Sequence, residues 1–223
     1  MVKEISDLYD NCTRPGVPEL LTICATPELQ VDIANTFQTF DFFERTIYIE
    51  DEITQSTASI TFETIRFWNK IDEEIEPEYR KPIKILINSP GGDLDATLTI
   101  IGAIETSLTP IYTYNIGKAY SGALFILVSG HMRYALPYAS YMFHEGAALF
   151  AGDAHKIVQQ GEFYKVQLNQ MKQIMLENTK LTDEEYRRHK KDDWWVSNDI
   201  AIKKGFVDKI IRFLGEEDEI DVE

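Results

Sequence analysis

Apolar and polar positions follow two rhythms along this chain, and the changes of rhythm mark its elements. Thr46-Ile-Tyr-Ile49 is β-branched and aromatic and reads as a strand. From Ser56 to about Ile75 the apolar residues Ile60, Phe62, Ile65, Phe67 and Trp68 recur roughly at helical spacing, which predicts a helix. Glu74 to Pro82 is a charged loop. Strand Ile83–Ile87 leads through a Pro90-Gly91-Gly92 turn into a helix with Leu94, Leu98, Ile101, Ile104 and Leu108 on one face. Pro110 ends that helix, Ile111–Ile116 predicts the next strand, and the apolar run Ala123–Val128 lies in a helix over Ser121–Ser129. Short strands follow at Arg133–Leu136 and Ser140–Phe143, then helices at about Ala154–Asn178, Asp183–Lys190 and Ser197–Lys204. Gly205 stops the last helix, and Phe206–Ile211 predicts a closing strand. Strands separated by helices imply an α/β fold with a parallel sheet and right-handed crossovers.

Residues 1–40 are the least regular part: Pro15, Pro18 and Pro27 interrupt short apolar patches, and no period is sustained. At 223 residues the chain accommodates one full-sized domain. Its strongest apolar runs stop at about six residues, far short of a membrane span, and the start Met1-Val-Lys-Glu-Ile-Ser-Asp lacks the features of a secretory signal. Cys12 and Cys24 have neither the density of a disulfide framework nor the spacing of a zinc site, so a reducing, cytoplasmic setting is expected. The net charge of −15 argues against nucleic acid as a partner. Part of that charge sits in the carboxylate run Glu216–Glu223, expected to be a solvated tail.

Three pieces of acyl-transfer chemistry occur in chain order. Pro90-Gly91-Gly92 follows a strand, and glycine tolerates the dihedrals that point backbone N–H groups at one spot. Ser121 stands directly ahead of the apolar helix, where the positive dipole end favours an anion. His144 ends a short apolar strand. Alone, Ser121 reads as a helix cap, the glycines as a turn and His144 as a core histidine. Together, they fall at strand ends, where catalytic groups gather in open α/β sheets.

This arrangement resembles the proteolytic subunit of the Clp protease (ClpP), a self-compartmentalised serine peptidase. The resemblance runs from about Arg45 to Ile211 and includes Lys191-Asp-Asp-Trp-Trp-Val-Ser197 and Gly205-Phe-Val-Asp208. It implies a ClpP/crotonase-like spiral of β-β-α units with a protruding helical handle over Ala154–Asn178. It also implies a peptidase domain at 41–214, between a divergent N-terminal segment (1–40) and an acidic tail (215–223). Carried over onto these positions, the family's triad is Ser121, His144 and Asp193, with Asp192 as the neighbouring competitor and Trp194 and Trp195 as shields. Its oxyanion hole falls on the N–H groups of Gly92 and Gly122. Gly146–Asp153 matches the strand beside the bound peptide, and neither a metal nor a cofactor is required. The family's partners are unfolded polypeptides, sister subunits in a heptamer or tetradecamer, and an AAA+ unfoldase. Departures are local: Ser121-Gly-Ala-Leu replaces Ser-Met-Gly-Ala, Glu145-Gly146 replaces Gln-Pro, and Asp192 replaces a ring-locking arginine, so a single heptamer is expected over a stable double ring. Competing readings are a crotonase-type acyl-CoA enzyme, a non-catalytic ring subunit, and a Ser–Lys dyad using Lys118.

Overall fold

The computed structural model describes residues 41–214. The readings made for 1–40 and for the 215–223 tail, Cys12 and Cys24 included, lie outside the described residues. The chain divides into a unit at Met1–Phe43 and one at Glu44–Glu223, and the second carries everything below.

Its centre is a sheet in which β1 (Thr46–Ile53), β2 (Ile83–Gly92), β3 (Ile111–Tyr120), β4 (Met132–Ala135) and β7 (Lys209–Ile210) pair in that order, all parallel. β5 (Ser140–Phe143) pairs parallel with the far end of β3, and β6 (Trp194–Val196) pairs antiparallel with β5. β3 therefore changes partner along its length. Tyr112–Asn115 lie beside β4, whereas Lys118–Tyr120 lie beside β5. At the fork sits buried Asn115, whose Nδ2 donates to Ser140 O at 2.9 Å while its Oδ1 accepts from the Gly117 N–H at 3.2 Å.

Between β3 and β4 runs α3 (Gly122–Val128), buried at every position. Each of its large apolar side chains contributes roughly 1.5–3 kcal/mol of burial, so this short helix fixes the direction in which β3 ends. α1 (Gln55–Ile71) buries Ala58, Thr61, Ile65 and Trp68, one helical face. Of the five apolar residues read as its stripe, Ile60, Phe62 and Phe67 face outward. α2 (Leu94–Glu105) buries Ala96, Thr97, Ile100, Ile101, Ala103 and Ile104. Ile101 and Ile104 of the expected face are buried, Leu108 lies beyond the helix end and is 61% exposed, and Ala96, Thr97 and Ala103 pack where the large-residue period passed over them.

Further expectations change. The Pro-Gly-Gly stretch is not a turn after a short strand: β2 continues to Gly92 because β1 runs beside it through a bulge at Asp51, where φ is 56°. Gly146–Asp153 contains no strand and is an open segment before α4 (Ala154–Asn178). α4 stands out as a handle, with 154–160 exposed throughout and only Gln167, Met171 and Met175 buried. α5 (Asp183–His189) starts with a capping box at Thr182 and Glu185. α6 (Asn198–Lys204) ends at Gly205 in the left-handed region (φ 71°), as the glycine stop predicts. The closing strand is shorter than read, Lys209–Ile210, and β6 is an element that periodicity did not signal. Among the described residues no helix is long and apolar enough to cross a membrane.

Candidate active site

Strand register brings three distant residues together. Tyr120 lies opposite Met142 across β3 and β5, so Ser121 and Phe143 follow side by side. Phe143 lies opposite Trp194 across β5 and β6, and one more antiparallel step sets His144 against Asp193. The side chains complete what the register begins. With the proton on Nδ1, His144 donates to Asp193 Oδ1 at 3.1 Å, and its Nε2 accepts from the Ser121 hydroxyl at 2.7 Å. Asp192 takes no part: its backbone N–H donates to His189 O at 3.3 Å. Lys118 pairs in register with Ser140, and the base touching Ser121 is His144.

Ser121 occupies the N-cap position of α3, yet its side chain makes no capping bond. Its backbone has φ 51° and ψ −125°, a region that costs a non-glycine residue about 1–3 kcal/mol. The conformation is held from both sides: its N–H donates to Met142 O at 2.9 Å, and its carbonyl accepts from Leu124 N–H at 3.0 Å. A strained serine that declines to cap its helix and bonds to a histidine instead is a half-buried hydroxyl with a base beside it.

The glycines are packed as tightly as the triad. A Cβ on Gly91, where φ is 95°, would lie 2.8 Å from Ser121 Cβ and 2.9 Å from Gly122 N. One on Gly122 would lie 2.5 Å from Thr97 Oγ1, and one on Gly92 2.3 Å from Ile53 O. Gly91 was not singled out as a site residue, although it is the glycine that borders Ser121. Buried Ser89 was also missed. Its Oγ donates to Asp51 O and accepts from the Gly91 N–H at 3.1 Å, which ties the bulge of β1 to the glycine pair. The signal available in the sequence was a serine two residues ahead of a glycine that needs positive φ.

The surroundings of the histidine–aspartate pair differ from expectation. Trp194 packs inward, stacked on His189 at 4.0 Å and edge-on to Phe143 and Phe206. Trp195 sits edge-on against Tyr120. Neither closes the pair from water, because the Asp193 side chain is 55% exposed. The pair is instead flanked by a contact that the sequence reading did not find. The Glu145 N–H donates to Lys190 O at 3.0 Å, and Lys190 Nζ donates to the Glu145 carboxylate at 3.0 Å.

A family model described as Clp protease matches residues 31–213. ATP-dependent Clp protease proteolytic subunit 2 of Borreliella burgdorferi is 30% identical over 175 residues, covering 75% of this chain and 83% of that protein. Subunit 2 of Mycolicibacterium paratuberculosis is 31% identical over 170 residues, covering 75% and 82%. Subunit 1 of Corynebacterium jeikeium is 34% identical over 133 residues, covering 59% and 71%.

Proposed function

Because the chain belongs to the Clp protease family, we propose that it is a serine endopeptidase cleaving unfolded polypeptides inside a ring-shaped chamber. The observation that carries this reading is the unbroken hydrogen-bond chain from Ser121 through His144 to Asp193, on a serine whose hydroxyl is not spent on capping. Asp193 holds the Nδ1 proton, which leaves the Nε2 lone pair for the Ser121 hydroxyl. As Ser121 Oγ attacks a peptide carbonyl, His144 takes its proton and then delivers it to the departing amine. Water, activated by the same nitrogen, hydrolyses the acyl-enzyme. Negative charge on the carbonyl oxygen needs fixed donors. Gly122 supplies a first-turn N–H that lacks an intrahelical acceptor. The second donor is the Gly92 N–H, a reading supported by its neighbour Gly91, which borders Ser121 and Gly122 N.

The chamber is built from sister subunits, and the exposed apolar residues Val158, Phe163 and Val166 on α4 support self-association. The single heptamer remains the expected form, with Asp192 where a ring-locking arginine would stand. An AAA+ unfoldase would deliver the substrate, a role supported by the ATP dependence in the relatives' names. Neither a metal nor a cofactor enters the mechanism, and the setting is cytoplasmic.

A fluorophosphonate probe tests the reading. Wild-type protein should be labelled on one serine and cleave a fluorogenic peptide, and Ser121→Ala should lose both. Labelling that persists in Ser121→Ala would remove the nucleophile. Peptide turnover separates an active enzyme from a ring subunit that keeps the triad without using it. A thermal shift with coenzyme A would point to the crotonase-type alternative instead.

A further inference from the structure

We infer that Glu145 and Lys190 form a clamp that positions the triad, closing the far side of the His144–Asp193 pair as the β5–β6 ladder closes the near side. The inference rests on the serine-peptidase reading and extends it to two residues outside the triad.

The antiparallel ladder ends at Phe143 and Trp194. Past it, two loops carry the reacting imidazole and its carboxylate, and His144–Asp193 is a single bond between them. Ser121 holds the ring at Nε2, but to the loop that carries Asp193 it is tied by that one bond alone. The next contact outward joins the same two loops by backbone and side chain together. Glu145 N–H donates to Lys190 O at 3.0 Å, and Lys190 Nζ reaches Glu145 Oε1 and Oε2, each at 3.0 Å. Ladder, triad bond and clamp thus form three successive ties between the same two stretches of chain.

The clamp is better sheltered than the bond it supports. The Glu145 and Lys190 side chains are 19% and 30% exposed, against 55% for Asp193. A charge-assisted hydrogen bond gains strength as water is excluded, so the outer tie is the firmer one. Lys190 also caps the C-terminus of α5, where its N–H donates to Tyr186 O, and this roots the clamp in a helix. On the opposite side, Gly146 adopts φ 87°, and a Cβ there would come 3.6 Å from Tyr164 Oη. The buried Tyr186 hydroxyl has no hydrogen-bond partner. Burial and then the Glu145 charge push both the Tyr164 and the Tyr186 hydroxyls above their ordinary range. Both phenols therefore stay neutral, and Lys190 is the cation that faces the Glu145 carboxylate next to His144.

A positioning role predicts a specific pattern. Lys190→Met removes the ammonium and keeps the length of the side chain. It should lower kcat about tenfold with little change in KM, because the binding surface is intact while the base is misaligned. Fluorophosphonate labelling of Ser121 should slow by the same factor, since that reaction uses the base and no peptide. Lys190→Arg should recover most of both rates. Glu145→Gln should show a smaller loss of the same kind, and the double variant should lose no more than Lys190→Met alone, as expected for partners in one contact. Circular dichroism melts identify which variants are folded, and Glu145→Gln, the gentler change, carries the test if Lys190→Met does not fold. Unchanged kcat and labelling in the folded variants would overturn the clamp while leaving the peptidase reading in place. So would a rise in KM alone. Failure of the wild-type protein to label or to cleave would overturn both.

Discussion

At the scale of single residues the site is decided by direction. Asp192 and Asp193 are adjacent and chemically identical, yet the register that pairs Phe143 with Trp194 hands His144 only the second. Asp193→Asn should therefore lower turnover by roughly 10⁴-fold, since an amide in that place favours the wrong imidazole tautomer, whereas Asp192→Asn should change it little. Steady-state peptide hydrolysis compares the two, and a reversal would shift the triad by one position. Gly91 makes a sharper case. Any side chain there meets Ser121 Cβ and Gly122 N within 2.9 Å, on a backbone at φ 95°. Gly91→Ala should lower labelling of Ser121 and turnover by at least about 10²-fold, the scale of a lost oxyanion donor, although alanine adds no charge or reactive group. Near-wild-type labelling of this variant would show that the pocket gives way more easily than its geometry indicates.

At the scale of elements, the parts read well from the sequence were those with local causes. The handle Ala154–Asn178 and the strand Ser140–Phe143 have the bounds their patterns predict, and the Gly205 stop has the left-handed backbone it requires. Elements with distant causes were misread. Pro90-Gly91-Gly92 carries every local mark of a turn, but β1 and the Ser89 bridge to Asp51 keep it extended. β6 is three residues long and exists because β5 offers it an edge. That Ser121, His144 and Asp193 come within hydrogen-bond reach is foreshadowed by an ordered set of motifs. Glu145 and Lys190 were not, because a lysine–glutamate pair 45 positions apart looks like any other surface charge until the loops close. Long-range polar ties also set how the elements hold together. Asp72, the C-cap of α1, is fully buried and accepts from both terminal guanidinium nitrogens of Arg45, which immediately precedes β1, and from Thr109. Burial alone would raise its carboxyl, but the Arg45 and Thr109 hydrogen bonds and the charges of Arg45 and Arg80 bring it below the ordinary aspartate value. A depressed carboxyl stabilises the fold fully above its unfolded value and loses that contribution as pH falls from there toward the folded value. The stabilisation should therefore fade below about pH 4. Asp72→Asn should cost roughly 3 kcal/mol at neutral pH, because it leaves Arg45 buried without its partner. Its unfolding should also depend less on pH in the acid range. Urea melts at several pH values read both, and parallel wild-type and variant curves would contradict the assignment.

At the scale of the whole molecule the surface is divided between charge and apolar handle. The net charge of −15 opposes crowding of identical subunits, while Phe163 and Val166 on α4 are more than half exposed and favour association. Added salt screens the first and leaves the second. Light scattering at micromolar concentration should therefore find a ring-sized mass that gains population as ionic strength rises. Phe163→Ser combined with Val166→Ser should move the balance toward the monomer, and a monomeric mass for the wild-type protein at all salt concentrations would end the chambered-protease reading. The fork in β3 has a consequence of another kind. Its first half is bonded to β4, which holds the two-residue β7, and its second half to β5, which carries His144. The two halves share only β3, so the outer pairing can open without breaking the inner one. In heavy water, amides of β4 and β7 should gain deuterium well before those of β2 and of Lys118–Tyr120, so that the protein loosens at its margin on a timescale that never disturbs the serine.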